Sequence, residues 1–236
     1  MIEIIPAIMP KSFADLQEKL SLVATYVDSV QLDVMDGKFV KSKSWPYVGD
    51  KGEFQNLMTE FEGLPYWDQV DFEIDLMVKN PQDVVESWIT AGAARLVAHV
   101  ECGGIPEILK VLHGRLAYGG GGPRFETPEI GVELGLALNP DTHTDLILPY
   151  LEDISFVQFM GIEKIGYQGQ QFQETVIDKI RDFHNAHPEV MISVDGGVGL
   201  ENARELLGAG AKRLISGSVI FESDNIAATI EEFKNI

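Results

Sequence analysis

Three aspartates, Asp33, Asp75 and Asp195, stand at or near the ends of short apolar runs, SVQLDVM, DFEIDLM and VMISVD. Gln31 precedes Asp33 by two residues, so in an extended strand the two side chains share one face. If the ends of these runs converge, three carboxylates and one amide meet. Two unit charges about 4 Å apart repel by roughly 4 kcal/mol at an effective dielectric near 20. Such a group must share a proton, which makes an acid and a base, or hold a cation, which makes an electrophile. Taken singly, each aspartate also fits as a helix N-cap or turn former just beyond its strand. Asp195 is followed by Gly196 and Gly197, and a second small turn reads Ser216, Gly217, Ser218. Glycines there let backbone N–H groups approach a ligand closely, so the two turns predict a phosphate held by amides rather than by lysine. The plainer reading of both is a tight turn.

Eight β-branched or apolar runs can supply the strands that position these residues: Glu3 to Ala7, Ser29 to Val34, Asp71 to Met77, Arg95 to Val100, Val132 to Leu138, Ser155 to Met160, Val190 to Val194 and Arg213 to Ser216. Segments of helical period follow them, such as Ser12 to Ala24 with Phe13, Leu16 and Leu20 on one face, and Pro81 to Ala91 opened by Asn80 as N-cap. Eight such units without a break in composition predict a single-domain α/β chain over residues 1–236, a (β/α)8 TIM barrel. An open doubly wound sheet is the runner-up, but its GxGxxG turn is absent after the first strand, where the sequence reads PAIMPKS. Barrel chemistry sits at the C-terminal strand ends, which adds Asp36, His99, Glu101 and Asn139 to the candidates. The run Gly119 to Gly122 falls before the fifth strand, on the opposite pole, and reads as a flexible loop.

Basic residues number 18 against 37 acidic ones, a formal net charge of −19. That surface repels nucleic-acid phosphate and anionic lipid headgroups, so neither a nucleic acid nor a membrane is an expected partner. The lone Cys102 cannot form an internal disulfide and has no catalytic signature around it. The start MIEIIPAIM is too acidic for a signal peptide, and no run reaches the roughly 18 apolar residues of a membrane span. A cytoplasmic location is the resulting expectation. His113, His143, His184 and His187 read as surface residues, and Trp45, Tyr47 and Trp67 as exposed rings of a lid or an interface.

The segments IIPAIM, VQLDVMDGKFV, DLMVKNP, AGAARLVAHVE, LALNP, GYQGQQF, SVDGGV and AGAKRLISGSVIF occur in order from about Ile4 to Phe221. Together they resemble the ribulose-phosphate 3-epimerase family of the ribulose-phosphate-binding barrels. The resemblance implies epimerisation of a phosphorylated ketose at C3, with Asp33 and Asp195 as the two acid–base groups on opposite faces of the substrate. It implies a phosphate site at Gly169, Gly196, Gly197, Gly217 and Ser218, an apolar floor of Met9, Met35, Met77 and Met160, and His99 and Glu101 behind the site. It also implies a divalent metal held by two histidines and both aspartates, and a homo-oligomer. Here Gln31 and Asp75 stand at the histidine positions, Ala7 replaces an expected serine, and loop IEKIGYQGQ is one residue longer. A metal at Gln31, Asp33, Asp75 and Asp195 would see only oxygen donors, favouring Mg2+ or Mn2+ over Zn2+. Without a metal, one carboxylate is protonated and Gln31 donates hydrogen bonds to the enediolate. A sugar-phosphate-binding barrel without epimerase activity, or a different sugar-phosphate isomerase or lyase, stays open; the decarboxylase motif DxKxxD is absent.

Overall fold

The computed structural model describes residues 2–60, 63–117 and 131–236. Eight strands, β1 (Glu3–Ile8), β2 (Ser29–Met35), β3 (Asp71–Met77), β4 (Ala93–His99), β5 (Glu133–Leu138), β6 (Phe156–Met160), β7 (Met191–Asp195) and β8 (Arg213–Ser216), lie in sequence order. They form a closed barrel, β8 pairing with β1, and every neighbouring pair is parallel. Helices α1 (Phe13–Val23), α2 (Lys51–Glu60), α3 (Val85–Ala91), α4 (Ile105–Ala117), α5 (Thr175–Ala186), α6 (Leu200–Ala209), α7 (Ser218–Phe221) and α8 (Ile226–Lys234) surround it. The expected TIM barrel is therefore the fold; Gly119 to Gly122 lie outside the described residues.

The strands are buried on both faces, which explains their near-continuous apolar runs. Their period of two separates the faces. Val30, Leu32 and Val34 of β2, and Phe72, Ile74 and Leu76 of β3, join the large core between strands and helices. Met35, Met77, Val97, Phe156 and Met160 form a separate cluster within the barrel. Gln31, Asp33, Glu73, Asp75, His99, Gln158 and Asp195 sit on that inner face and are buried. In register, Asp33 lies opposite Asp75 and Met160 opposite Asp195.

Several local expectations need correction. Between β5 and β6 the chain makes two 3-10 turns, Thr144–Leu146 and Leu148–Tyr150, instead of a helix. Pro149 in the second of these removes a helical donor. Pro81 to Ala91 divides into a 3-10 turn, Pro81–Asp83, and α3, and Asn80 makes no side-chain cap hydrogen bond. Its amide donates instead to Asp83 at 3.2 Å. Ser12 does cap α1, accepting from the Asp15 N–H at 3.1 Å. Trp45 is no exposed lid ring. It is 0% exposed, packed against Phe13, Phe54 and Trp88, with its indole N–H donating to Glu53. Tyr47 is half-buried, and Trp67 alone of the three is exposed. His184 and His187 are half-buried rather than free on the surface, His187 packing on Phe183.

At the N-terminal pole, Arg95 and Arg213 close the barrel against Glu3 and Glu73. Arg95 pairs with Glu3 at 2.8 Å, Arg213 with Glu3 at 3.0 Å, and Arg213 also with the fully buried Glu73. Burial opposes ionisation of Glu3, but the Arg95 hydrogen bond and both guanidinium charges outweigh it and hold the carboxyl down at about 2. The polar pole leaves the opposite end for chemistry.

Candidate active site

At the C-terminal pole, β2, β3 and β7 bring together the three aspartates singled out by sequence. Ligand oxygens of Asp33, Asp75 and Asp195 lie within 4.8 Å of one another. Gln31 bridges two of them, its Nε2 donating to Asp33 Oδ1 at 3.0 Å and to Asp195 Oδ2 at 3.1 Å. Asp75 is held from the other side by His99 Nε2 at 3.0 Å and by the Gln158 amide at 3.3 Å.

Exposure separates the three. Asp33 and Asp195 are 6% and 8% exposed, whereas Asp75 is 0%. Only the first two line the adjoining cavity of about 440 Å3, a size suited to a small ligand. Burial, then the charges of Asp195 and Asp75, push the Asp33 carboxyl well above its ordinary range. Asp195 is pushed up by burial and by Asp75, with the Gln31 hydrogen bond and His99 opposing. Burial disfavours charge on His99, yet Asp75 and then Glu101 outweigh it and hold its pKa above the ordinary value.

The glycine turns share this cavity. Gly169, Gly196, Gly197, Gly217 and Ser218 all line it, with Met9, Met77 and Met160. Met35 lies under the following loop, its Sδ 3.1 Å from where a Cβ on Gly166 would stand. Gly197 has φ +68°, and a Cβ there would come within 2.9 Å of the Phe172 backbone, so its turn takes only glycine without strain. Asn202 pins the turn, accepting from the Gly199 N–H at 3.0 Å and donating to Gly197 O at 2.9 Å. Loop 161–173 is tied down beside it by Gly161 N–H to Asp195 O at 2.6 Å and Gln173 N–H to Gly161 O at 2.8 Å.

Other candidates fall outside. Asp36 turns to backbone, accepting from the N–H groups of Lys38, Phe39 and Lys79. Glu101 accepts from the Asn139 N–H at 2.8 Å and stands 3.9 Å from His99 Nδ1, behind the site. Cys102 does not line the cavity, and burial and then Glu101 push its thiol up to about 12. Sequence reasoning missed Gln158, although it is the one polar residue of the run FVQFM. It also missed Gln168, Glu174, Glu201 and Glu205, which line the cavity from loop and helix positions.

Residues 3–221 match the ribulose-phosphate 3 epimerase family. The chain belongs to that family. Its relatives include the ribulose-phosphate 3-epimerase of Schizosaccharomyces pombe, 26% identical over 235 residues, spanning 99% of this chain and 92% of that protein. Another is the ribulose-phosphate 3-epimerase of Synechocystis sp., 28% identical over 240 residues, spanning 99% and 94%. Among solved structures, 3-keto-L-gulonate-6-phosphate decarboxylase from Vibrio cholerae superposes with a TM-score of 0.66 at 15% identity, covering 100% of this chain and 95% of that one. At that identity the likeness speaks for the fold alone. Membership makes the chain one of an epimerase family with a barrel scaffold.

The aspartate trio could hold a metal ion. Its chemistry fits a hard cation, since every donor is a carboxylate oxygen, and Gln31 Oε1 is a further buried oxygen without a partner. Among the described residues, no helix is long and apolar enough to cross a membrane.

Proposed function

We propose that the protein epimerises a phosphorylated ketose, ribulose 5-phosphate being the simplest candidate, at C3. The observation that carries this reading is the pair Asp33 and Asp195, bridged by Gln31 and facing one cavity that continues to two glycine turns. Two neighbouring carboxyls with raised affinity for protons favour one proton on the pair, leaving one base and one acid. The ionised aspartate removes the C3 proton from one face, and the electron pair moves into an enediolate. The protonated aspartate returns a proton to C3 from the other face, which inverts the centre. In the reverse direction the roles exchange.

Positioned acid–base groups contribute about 10²- to 10⁴-fold to such steps. Gln31 holds the two carboxyls, while His99 and Gln158 hold Asp75 behind them. Mg2+ or Mn2+ held by Asp33, Asp75 and Asp195 would supply positive charge against the enediolate oxygens, and an all-oxygen donor set favours these ions over Zn2+. Gly196, Gly197, Gly217, Ser218 and Gly169 would receive the phosphate through backbone N–H groups.

The purified protein, given ribulose 5-phosphate with chelator, Mg2+ or Mn2+, should yield the C3 epimer, xylulose 5-phosphate, by NMR. Failure in all three arms while ribulose 5-phosphate still binds would replace this reading with a sugar-phosphate-binding barrel.

A further inference from the structure

The end of the cavity assigned to phosphate has an unusual electrostatic character. Among the described residues lining it there is no lysine, arginine or histidine, while Glu174, Glu201 and Glu205 are present. A dianion arriving there meets like charges, so the neutral donors aimed into the site must be sufficient to hold it. Backbone N–H groups of the glycine turns are one set.

Gln168 supplies another. The loop 161–173 carries it across the mouth to the β8 turn, where its Nε2 stands 2.9 Å from the place of a Cβ on Gly217. The loop's own bracing leaves this amide out. Gln170 Nε2 donates to the Tyr167 carbonyl at 3.0 Å and to the Lys164 carbonyl, whereas Gln168 makes no hydrogen bond to any described residue. Its side chain is exposed and lines the cavity.

We propose that Gln168 is the side-chain ligand of the substrate's phosphoryl group and a determinant of specificity for phosphorylated substrates. This rests on the phosphate reading of the same cavity. The choice of an amide follows from its surroundings. A lysine or arginine in a cavity that Glu174, Glu201 and Glu205 also line would be drawn towards their charges before a ligand arrived. The neutral amide of Gln168 has no charge to draw it to those carboxylates and donates to none of them here, so its two N–H donors stay available for phosphoryl oxygens.

Ribitol 5-phosphate lacks the carbonyl needed for turnover and serves as probe, with ribitol as its unphosphorylated control. Isothermal titration of the full chain, Gln168→Ala and Gln168→Glu should show the parent binding ribitol 5-phosphate and not ribitol. Gln168→Ala should weaken ribitol 5-phosphate roughly tenfold to hundredfold, the loss expected for one hydrogen bond to a charged group. Gln168→Glu should weaken it further, with denaturant midpoints unchanged in both. If the parent discriminates but Gln168→Ala binds equally well, the role of Gln168 is overturned and the phosphate reading stands. If the parent does not distinguish ribitol 5-phosphate from ribitol, the phosphate reading itself falls and this proposal with it.

Discussion

Replacing Gln31 with methionine tests whether the bridge between the two aspartates serves catalysis or the fold. Methionine keeps the unbranched shape in a site that is 0% exposed, and its flexibility limits packing strain. The change removes hydrogen bonds of 3.0 and 3.1 Å to Asp33 and Asp195. Each is worth about 1.5–3 kcal/mol when its acceptor is charged, and less when that acceptor is protonated. The same change removes the buried Oε1, which has no partner and costs about 1–3 kcal/mol as it stands. With one of the two acceptors protonated, the lost bonds sum to roughly 2–4.5 kcal/mol against about 1–3 kcal/mol regained, so unfolding stability should fall by only about 1–2 kcal/mol. Rate should not be spared. The aspartates lose the group that aligns them, and misplacement by about 1 Å costs on the order of 10²-fold. Urea unfolding and the rate of ribulose 5-phosphate interconversion, measured on one preparation, read both effects. A variant with kcat within about threefold of the parent and unchanged stability would refute the argument, because the bridge would then align nothing.

Other consequences are as specific. Gly197→Ala adds a Cβ within 2.9 Å of the Phe172 backbone at φ +68°; about 1–3 kcal/mol of stability and most of the affinity for ribitol 5-phosphate should be lost. Unchanged titration and unfolding curves would contradict that. Trp45→Ala empties a fully buried site among three aromatic rings and should cost about 3–5 kcal/mol in urea unfolding; a loss below 1 kcal/mol would mean that the ring is not core. Glu3, held down at about 2 in the fold against an ordinary 4.5 but with its side chain 30% exposed, contributes about 1–2 kcal/mol after solvent screening. Because the folded pKa is depressed, that stability is complete above the ordinary value and disappears as pH falls towards 2. Unfolding midpoints from pH 6 to pH 2 should therefore fall more steeply for the parent than for Glu3→Gln, and parallel curves would count against the pairing.

The barrel was legible because a strand buried on both faces cannot avoid an apolar run, and eight such runs punctuate the chain. The same period placed Gln31 with Asp33 on one face. It could not give depth, so Asp75 read as an equal of Asp33 and Asp195, although it lies behind them with His99 and Gln158. Trp45 misled because a large ring among lysines and turn residues looks exposed until Phe13 and Trp88, distant in sequence, and Phe54 of the next helix close over it. Glu201 and Glu205 look like ordinary solvated helix positions. Only the barrel's closure brings the start of α6 to the cavity. The Glu3, Glu73, Arg95 and Arg213 network was illegible for the same reason, its members lying up to 210 residues apart.

Hydrogen exchange at C3 in deuterium oxide, begun separately from each C3 epimer, tests the two-aspartate account most directly. The parent should epimerise and incorporate deuterium from both sides. Asp33→Asn and Asp195→Asn should each lose epimerisation by at least about 10²-fold, and any exchange that remains should be confined to one epimer, a different one in each variant. Epimerisation near the parent rate in either variant, or residual exchange of the same epimer in both, would contradict the assignment of one aspartate to each face.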